Sequence, residues 1–120
     1  MNIVLPDTNI ILWTFSGGID FREAIASVAP GHKILIPTCV LDELEKLNNK
    51  QSNAAIEFCK KMEKIDIGRG YADDLLVKSA EMGYLVATND KEMLENLKEK
   101  RINALRTREK NKLIMTEKEL

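Results

Sequence analysis

Asp7, Glu43, Asp73 and Asp90 lie far apart in the 120-residue chain, yet each stands at or near the start of a helix. Brought together, four carboxylates repel strongly unless a cation joins them. No histidine or cysteine cluster accompanies them, so the donor set is all oxygen and calls for a hard cation. A few carboxylates with open water positions suit Mg²⁺ or Mn²⁺ better than a fully caged Ca²⁺. Such an ion acidifies water to make a nucleophile near neutral pH and neutralises charge developing on a phosphate during in-line displacement. This chemistry does not require a general-base histidine. The only one in the chain, His32, lies in GHK, on the amino side of a strand and away from the acids.

The acids matter only if the fold gathers them. Asn2 to Pro6 (NIVLP) is a short apolar run rich in β-branched residues, the pattern of a buried parallel strand. TNIILWTF then predicts a short helix or turn stopped by Gly17 and Gly18. In FREAIASV, Phe21, Ala24, Ile25 and Val28 repeat at helical spacing before Pro30 and Gly31. Lys33 to Pro37 (KILIP) predicts a second strand, followed from Thr38 by a helix whose apolar positions Val40, Leu41, Leu44 and Leu47 recur at helical period. Asn48 to Asn53 reads as a polar loop, and Ala54 starts a further amphipathic helix with Ile56, Cys59 and Met62 on its buried side. IDIG at Ile65 is too short to assign. Asp73 and Asp74 open a helix that stops at Gly83. Tyr84 to Thr88 (YLVAT) predicts a third strand, KEMLENLKEK a helix, and the remainder a final strand or hairpin.

Strands alternating with helices give a single α/β domain over residues 1–120, with a central, mainly parallel sheet and helices on both faces. Ligands of such sheets bind beyond the carboxyl ends of the strands, where loops and helix N-termini converge. Asp7 and Asp90 each directly follow a strand, Glu43 lies early in the helix after the second strand, and Asp73 opens the helix before the third. All four reach one edge of one sheet.

Each acid also has a plain structural use. Asp7 is a ready helix N-cap, Glu43 a solvated helix acid beside Asp42 and Glu45, Asp73 with Asp74 a complement to a helix dipole, and Asp90 a turn residue. Glu43 adjoins the apolar stripe of its helix and so can point along the sheet edge. Trp13 and Phe15 fit core packing better than base stacking.

The stretches VLPDTNIIL, PTCVLDELEKL, YADDLLVKSAEMG and LVATNDKEML, in this order, resemble the PIN-domain nucleases along nearly the whole chain. YADD followed by VATND is similar to the branch containing archaeal and eukaryotic ribosomal-RNA processing endonucleases, rather than the toxin branch. The resemblance implies a divalent-metal-dependent endoribonuclease using Mg²⁺ or Mn²⁺, with Asp7, Glu43, Asp73 and Asp90 as metal ligands and catalytic acids. It assigns Thr8, Asn9, Thr88 and Asn89 to orienting ligands or water, with Asp74 as a further acid near ligand or substrate. The implied partner is RNA, single-stranded or a ribosomal precursor; a homodimer is compatible.

Composition agrees with a globular domain and sets conditions on that partner. Hydrophobic residues make up 44% and charged residues 31%, and no apolar run approaches the length of a membrane span. With no signal-peptide pattern at the start, the expected location is the cytoplasm. Cys39 and Cys59 have no metal-site spacing and read as reduced, buried thiols. A net charge of −1 leaves no bulk attraction for RNA, so positive charge must be local. Residues 98–112 supply it through Lys98, Lys100, Arg101, Arg106, Arg108, Lys110 and Lys112, of which Arg101, Arg106 and Arg108 are the candidate RNA contacts. A solvated basic hairpin accounts for this segment equally well.

Other functions fit less well. A dinucleotide fold needs GxGxxG where PDTN stands. An aspartyl-nucleophile phosphohydrolase needs an acid at Asn9, and a DNA-acting 5′-nuclease needs a larger chain. A non-catalytic RNA-binding scaffold and a toxin-type ribonuclease remain as alternatives.

Overall fold

The computed structural model describes residues 2–109 and 111–116. Ile3–Pro6 forms β1, an interior strand of the main sheet, with Val4 and Leu5 completely buried although they point to opposite faces. Burial of both faces marks an interior parallel strand, and each such side chain contributes roughly 1.5–3 kcal/mol. Helix α1 (Thr8–Thr14) follows at once, then α2 (Phe21–Val28). Asp20 caps α2 by accepting the Arg22 N–H at 2.9 Å, while Phe21, Ala24 and Ile25 bury the face read from the helical spacing.

The segment KILIP departs from the single strand expected. It divides into β2 (Lys33–Ile34), paired parallel to β1, and β3 (Ile36–Pro37), paired parallel to β4 (Lys64–Ile65) in a separate two-stranded sheet. Two residues on each side suffice for each pairing, too few for the sequence pattern to separate. The unassigned IDIG segment thus contributes Ile65 to a strand.

Helix α3 (Thr38–Leu47) leads through Asn48, in the left-handed region at φ 44°, to α4 (Lys50–Cys59). The polar loop expected at 48–53 is corrected here. Asn49 Oδ1 accepts the Ser52 N–H at 2.8 Å and Ser52 Oγ accepts the Asn49 N–H at 2.9 Å, a reciprocal cap that starts the helix four residues before Ala54. Ser52, Ala55 and Cys59 form its buried side, with Ile56 partly buried.

Next come α5 (Ala72–Glu81), β5 (Leu85–Ala87), α6 (Lys91–Glu99), β6 (Leu105–Arg108) and β7 (Lys112–Met115). The main sheet has the order β2-β1-β5-β6-β7, parallel except for the final β6–β7 hairpin. From β1 the chain steps to one side towards β2 and later returns to the other side for β5 and β6. Right-handed crossovers in opposite directions put helices on opposite faces. One apolar cluster joins β1, β5 and β6 to these helices through Leu5, Val86, Leu105, Ile10, Ile25, Leu76 and Leu97. Trp13 and Phe15 pack against it, and Cys39 and Cys59 are buried free thiols. Among the described residues no helix is long and apolar enough to cross a membrane.

Candidate active site

The carboxyl ends of β1, β5 and β6 lie on the same edge because the three strands run parallel, with Pro6 beside Ala87 and Ala87 beside Leu105. Asp7 leaves β1 at this edge and its N–H continues the ladder to the Ala87 carbonyl at 2.8 Å. The residue is only 3% exposed. Oδ1 accepts the Thr8 N–H at 2.7 Å and Oδ2 accepts the hydroxyl of the buried Thr88 at 2.7 Å. Thr88 Oγ1 in turn accepts the Asp90 N–H at 3.1 Å, so one hydroxyl links both strand-end acids. Asp90 caps α6, its Oδ1 accepting the Met93 N–H at 3.0 Å. Capping and a place at the site are therefore compatible for Asp7 and Asp90.

Glu43, half-buried on α3, reaches the same edge: its Oε1 accepts the Thr8 hydroxyl at 2.6 Å. Asn9 Oδ1 accepts the Asn89 N–H at 3.1 Å, tying α1 to the turn after β5. Asn89 Oδ1 accepts both the N–H and the hydroxyl of Thr107, at 3.0 and 2.9 Å, and so fixes β6 to that turn. Thr8, Asn9, Thr88 and Asn89 are thus all engaged in holding this edge together. Asp73 sits exposed in the first turn of α5, with exposed Asp74 beside it.

The charges of these acids act on one another. Burial pushes the Asp7 carboxyl up to about 6; the Thr88 and Thr8 hydrogen bonds oppose this, while the charges of Asp73 and Glu43 add to it. Asp73 is raised as well, by partial burial and then by Asp90, Glu43, Asp74 and Glu92. Among the described residues no three acids are close enough to form a ready-made metal cage. Mutual repulsion without a cation, all-oxygen donors and an open rim fit a hydrated divalent ion held by a few carboxylates, not an enclosed one.

A PIN-like domain family profile matches residues 3–110. The chain belongs to this family. It is 29% identical over 119 residues to Ribonuclease VapC4 of Methanocaldococcus jannaschii, covering 89% of this chain and 91% of that protein. It is also similar to the solved structure of the PIN domain endonuclease Utp24, with a TM-score of 0.81 and 29% identity over 94% of this chain and 90% of that one.

The basic residues separate. Arg101 follows α6 at the amino end of β6, the edge opposite the acids. Arg106 and Arg108, two apart on β6, share one strand face, and Arg108 is exposed past the level of Ala87. Lys110 lies outside the described residues. His32 precedes β2 on the far edge, as expected.

Sequence reading missed a cleft of about 530 Å³ that opens beside the acids between α3 and the loop 66–71. It shares Glu43 with the acid group and brings Lys46, Arg69 and Tyr71 to its wall. The local signal was GRGY, a cation and an aromatic set between glycines.

Proposed function

We propose that this PIN-like domain is a divalent-metal-dependent endoribonuclease, with Asp7, Glu43, Asp73 and Asp90 holding the ion. The observation that carries this is the hydrogen-bonded link from Asp7 through Thr88 to Asp90 at the carboxyl edge of the parallel sheet, with Glu43 tied to the same edge through Thr8 and the charge of Asp73 acting on Asp7. The likeness to a ribonuclease and to a PIN domain endonuclease, each over most of the chain, supports the reaction class. The YADD and VATND motifs favour a ribosomal precursor among RNA substrates. Free, buried Cys39 and Cys59 suit the reducing cytosol.

When bound, Mg²⁺ or Mn²⁺ supplies charge neutralisation at the phosphate and activates water for attack. The chain's own groups prepare that event. Thr88 holds Asp7 Oδ2 and the Asp90 backbone in one register, Thr8 holds Glu43, and Asn9 with Asn89 locks the two strand-end turns. Little reorganisation of these groups is then needed at the moment of reaction. On β6, Arg106 and Arg108 add local positive charge to a chain whose net charge is −1.

Incubating the protein with labelled single-stranded RNA and Mn²⁺, Mg²⁺ or EDTA tests this. Internal cuts that require the metal support it. RNA binding without cutting under any divalent ion would replace it with the scaffold function.

A further inference from the structure

The cleft beside Glu43 is built for more than solvent. Its volume of about 530 Å³ falls within the roughly 300–1,000 Å³ range of small-molecule sites. Tyr71 is 82% exposed, the most exposed of the large hydrophobic side chains among the described residues. Its ring has no aromatic partner there, whereas Phe15, Phe21 and Phe58 pack together and Arg22 covers Phe58. Such a ring leaves an open face for a flat partner from outside. Arg69 and Lys46 form no ion pair among the described residues, although Arg22, Lys33, Lys60 and Lys100 do.

Loop geometry keeps these groups displayed. Gly68, at φ 118°, lies so close to α5 that an added Cβ would stand 3.1 Å from Leu75 Cδ2. Gly70 has φ 132°, a backbone conformation that a side chain strains. The chain between them turns Arg69 outward and delivers Tyr71 to the start of α5, two residues before Asp73.

We propose that this cleft holds one unpaired nucleotide of the RNA, its base stacked on Tyr71 and its phosphate on Arg69 and Lys46. Aromatic stacking is the usual way to hold an unpaired base, and a base paired in a duplex cannot present its face in this way. The carboxylates Asp42, Glu43 and Asp66 also line the cleft, so its positive charge is confined to Lys46 and Arg69, enough to meet one phosphate, and does not continue as a phosphate track. Because Glu43 belongs to both sites, the nucleotide lies next to the bond to be cut. The assignment deepens the nuclease reading and rests on it for the choice of RNA, but its binding test is independent of cleavage.

The test is the affinity of a short single-stranded 2′-O-methyl RNA carrying 2-aminopurine, measured by anisotropy and base fluorescence in Ca²⁺. Its intactness is checked on a gel, and cleavage of ordinary RNA in Mn²⁺ is measured separately. The parent should quench the fluorescence. Tyr71→Ala should bind about tenfold more weakly or worse and lose the quench, while Tyr71→Phe keeps both. Arg69→Gln should weaken binding and flatten its salt dependence. Cleavage of RNA by the parent, with Tyr71→Ala binding and quenching as the parent does, would overturn the subsite and leave the nuclease reading intact. Quenching lost only in Tyr71→Ala, from a parent that cuts nothing, would support the subsite while removing the nuclease reading. Equal affinity for a duplex of the same sequence would overturn the subsite in either case.

Discussion

Thr88 donates its hydroxyl to Asp7 Oδ2 at 2.7 Å across 81 positions of sequence, and the same oxygen accepts the Asp90 N–H. Both residues are buried at the carboxyl edge of adjacent strands. Thr88→Val keeps the shape and removes both bonds. It should cost about 1–3 kcal/mol in chemical denaturation, because a buried carboxylate oxygen and a backbone N–H lose partners. Since the hydroxyl lowers the Asp7 pKa, its loss should also move the acidic limb of the metal-dependent cleavage rate to higher pH. An unchanged limb would mean that Asp7 does not set it.

Asp7 also predicts how stability responds to pH without metal. Its carboxyl titrates at 3.8 when unperturbed and at about 6 in the fold, so the folded state binds the proton more tightly than the unfolded chain. This contribution favours folding below pH 3.8, fades as pH rises and is lost above about 6, a difference of about 3 kcal/mol as an upper bound. Metal-free Asp7→Asn should therefore melt higher than the parent at neutral pH, with the gain shrinking towards pH 4. Added Mn²⁺ should raise the melting temperature of the parent but much less that of the variant. A variant that melts lower at neutral pH would contradict the burial penalty assigned to Asp7.

How much of this was legible in the chain depends on the range of each interaction. NIVLP and the Phe21, Ala24, Ile25, Val28 stripe carry their periods locally, and both elements form where they were read. Asp7 and Asp90 follow obvious strands, so their placement at one edge needed only the parallel topology. Glu43 was harder, since its position depends on the Thr8 contact made through tertiary packing. The break at Leu35 was hidden because β3 finds its partner in Lys64–Ile65, a pairing that no local pattern reveals. The Asn49–Ser52 cap was visible in principle but was masked by polar composition. Arg101 and Arg108 look alike in sequence, and only strand direction sends them to opposite edges.

That cap offers a control away from the site. Asn49→Ala should lower stability by about 1 kcal/mol and leave the cleavage rate per folded molecule unchanged. A loss of activity beyond the loss of folded protein would show that α4 bears on the chemistry.

Arg108 is exposed on β6 beyond the level of Ala87. Arg108→Gln should weaken RNA binding across sequences and reduce the slope of log affinity against log salt by about 0.7, the value for one phosphate of a single strand. Arg101→Gln, at the opposite edge, should leave that slope unchanged. The reverse ranking would place the RNA path away from the acid edge.

The most direct measurement is the single-turnover rate of single-stranded RNA cleavage in Mn²⁺ by the parent, Asp7→Asn and Asp90→Asn, with folding of each verified by circular dichroism. The parent should cut, EDTA should stop it, and each folded variant should lose at least about a hundredfold in rate, as expected when one charged group of a preorganised site is removed. Cleavage at the parent rate by either variant would contradict the assignment of these acids to the metal site.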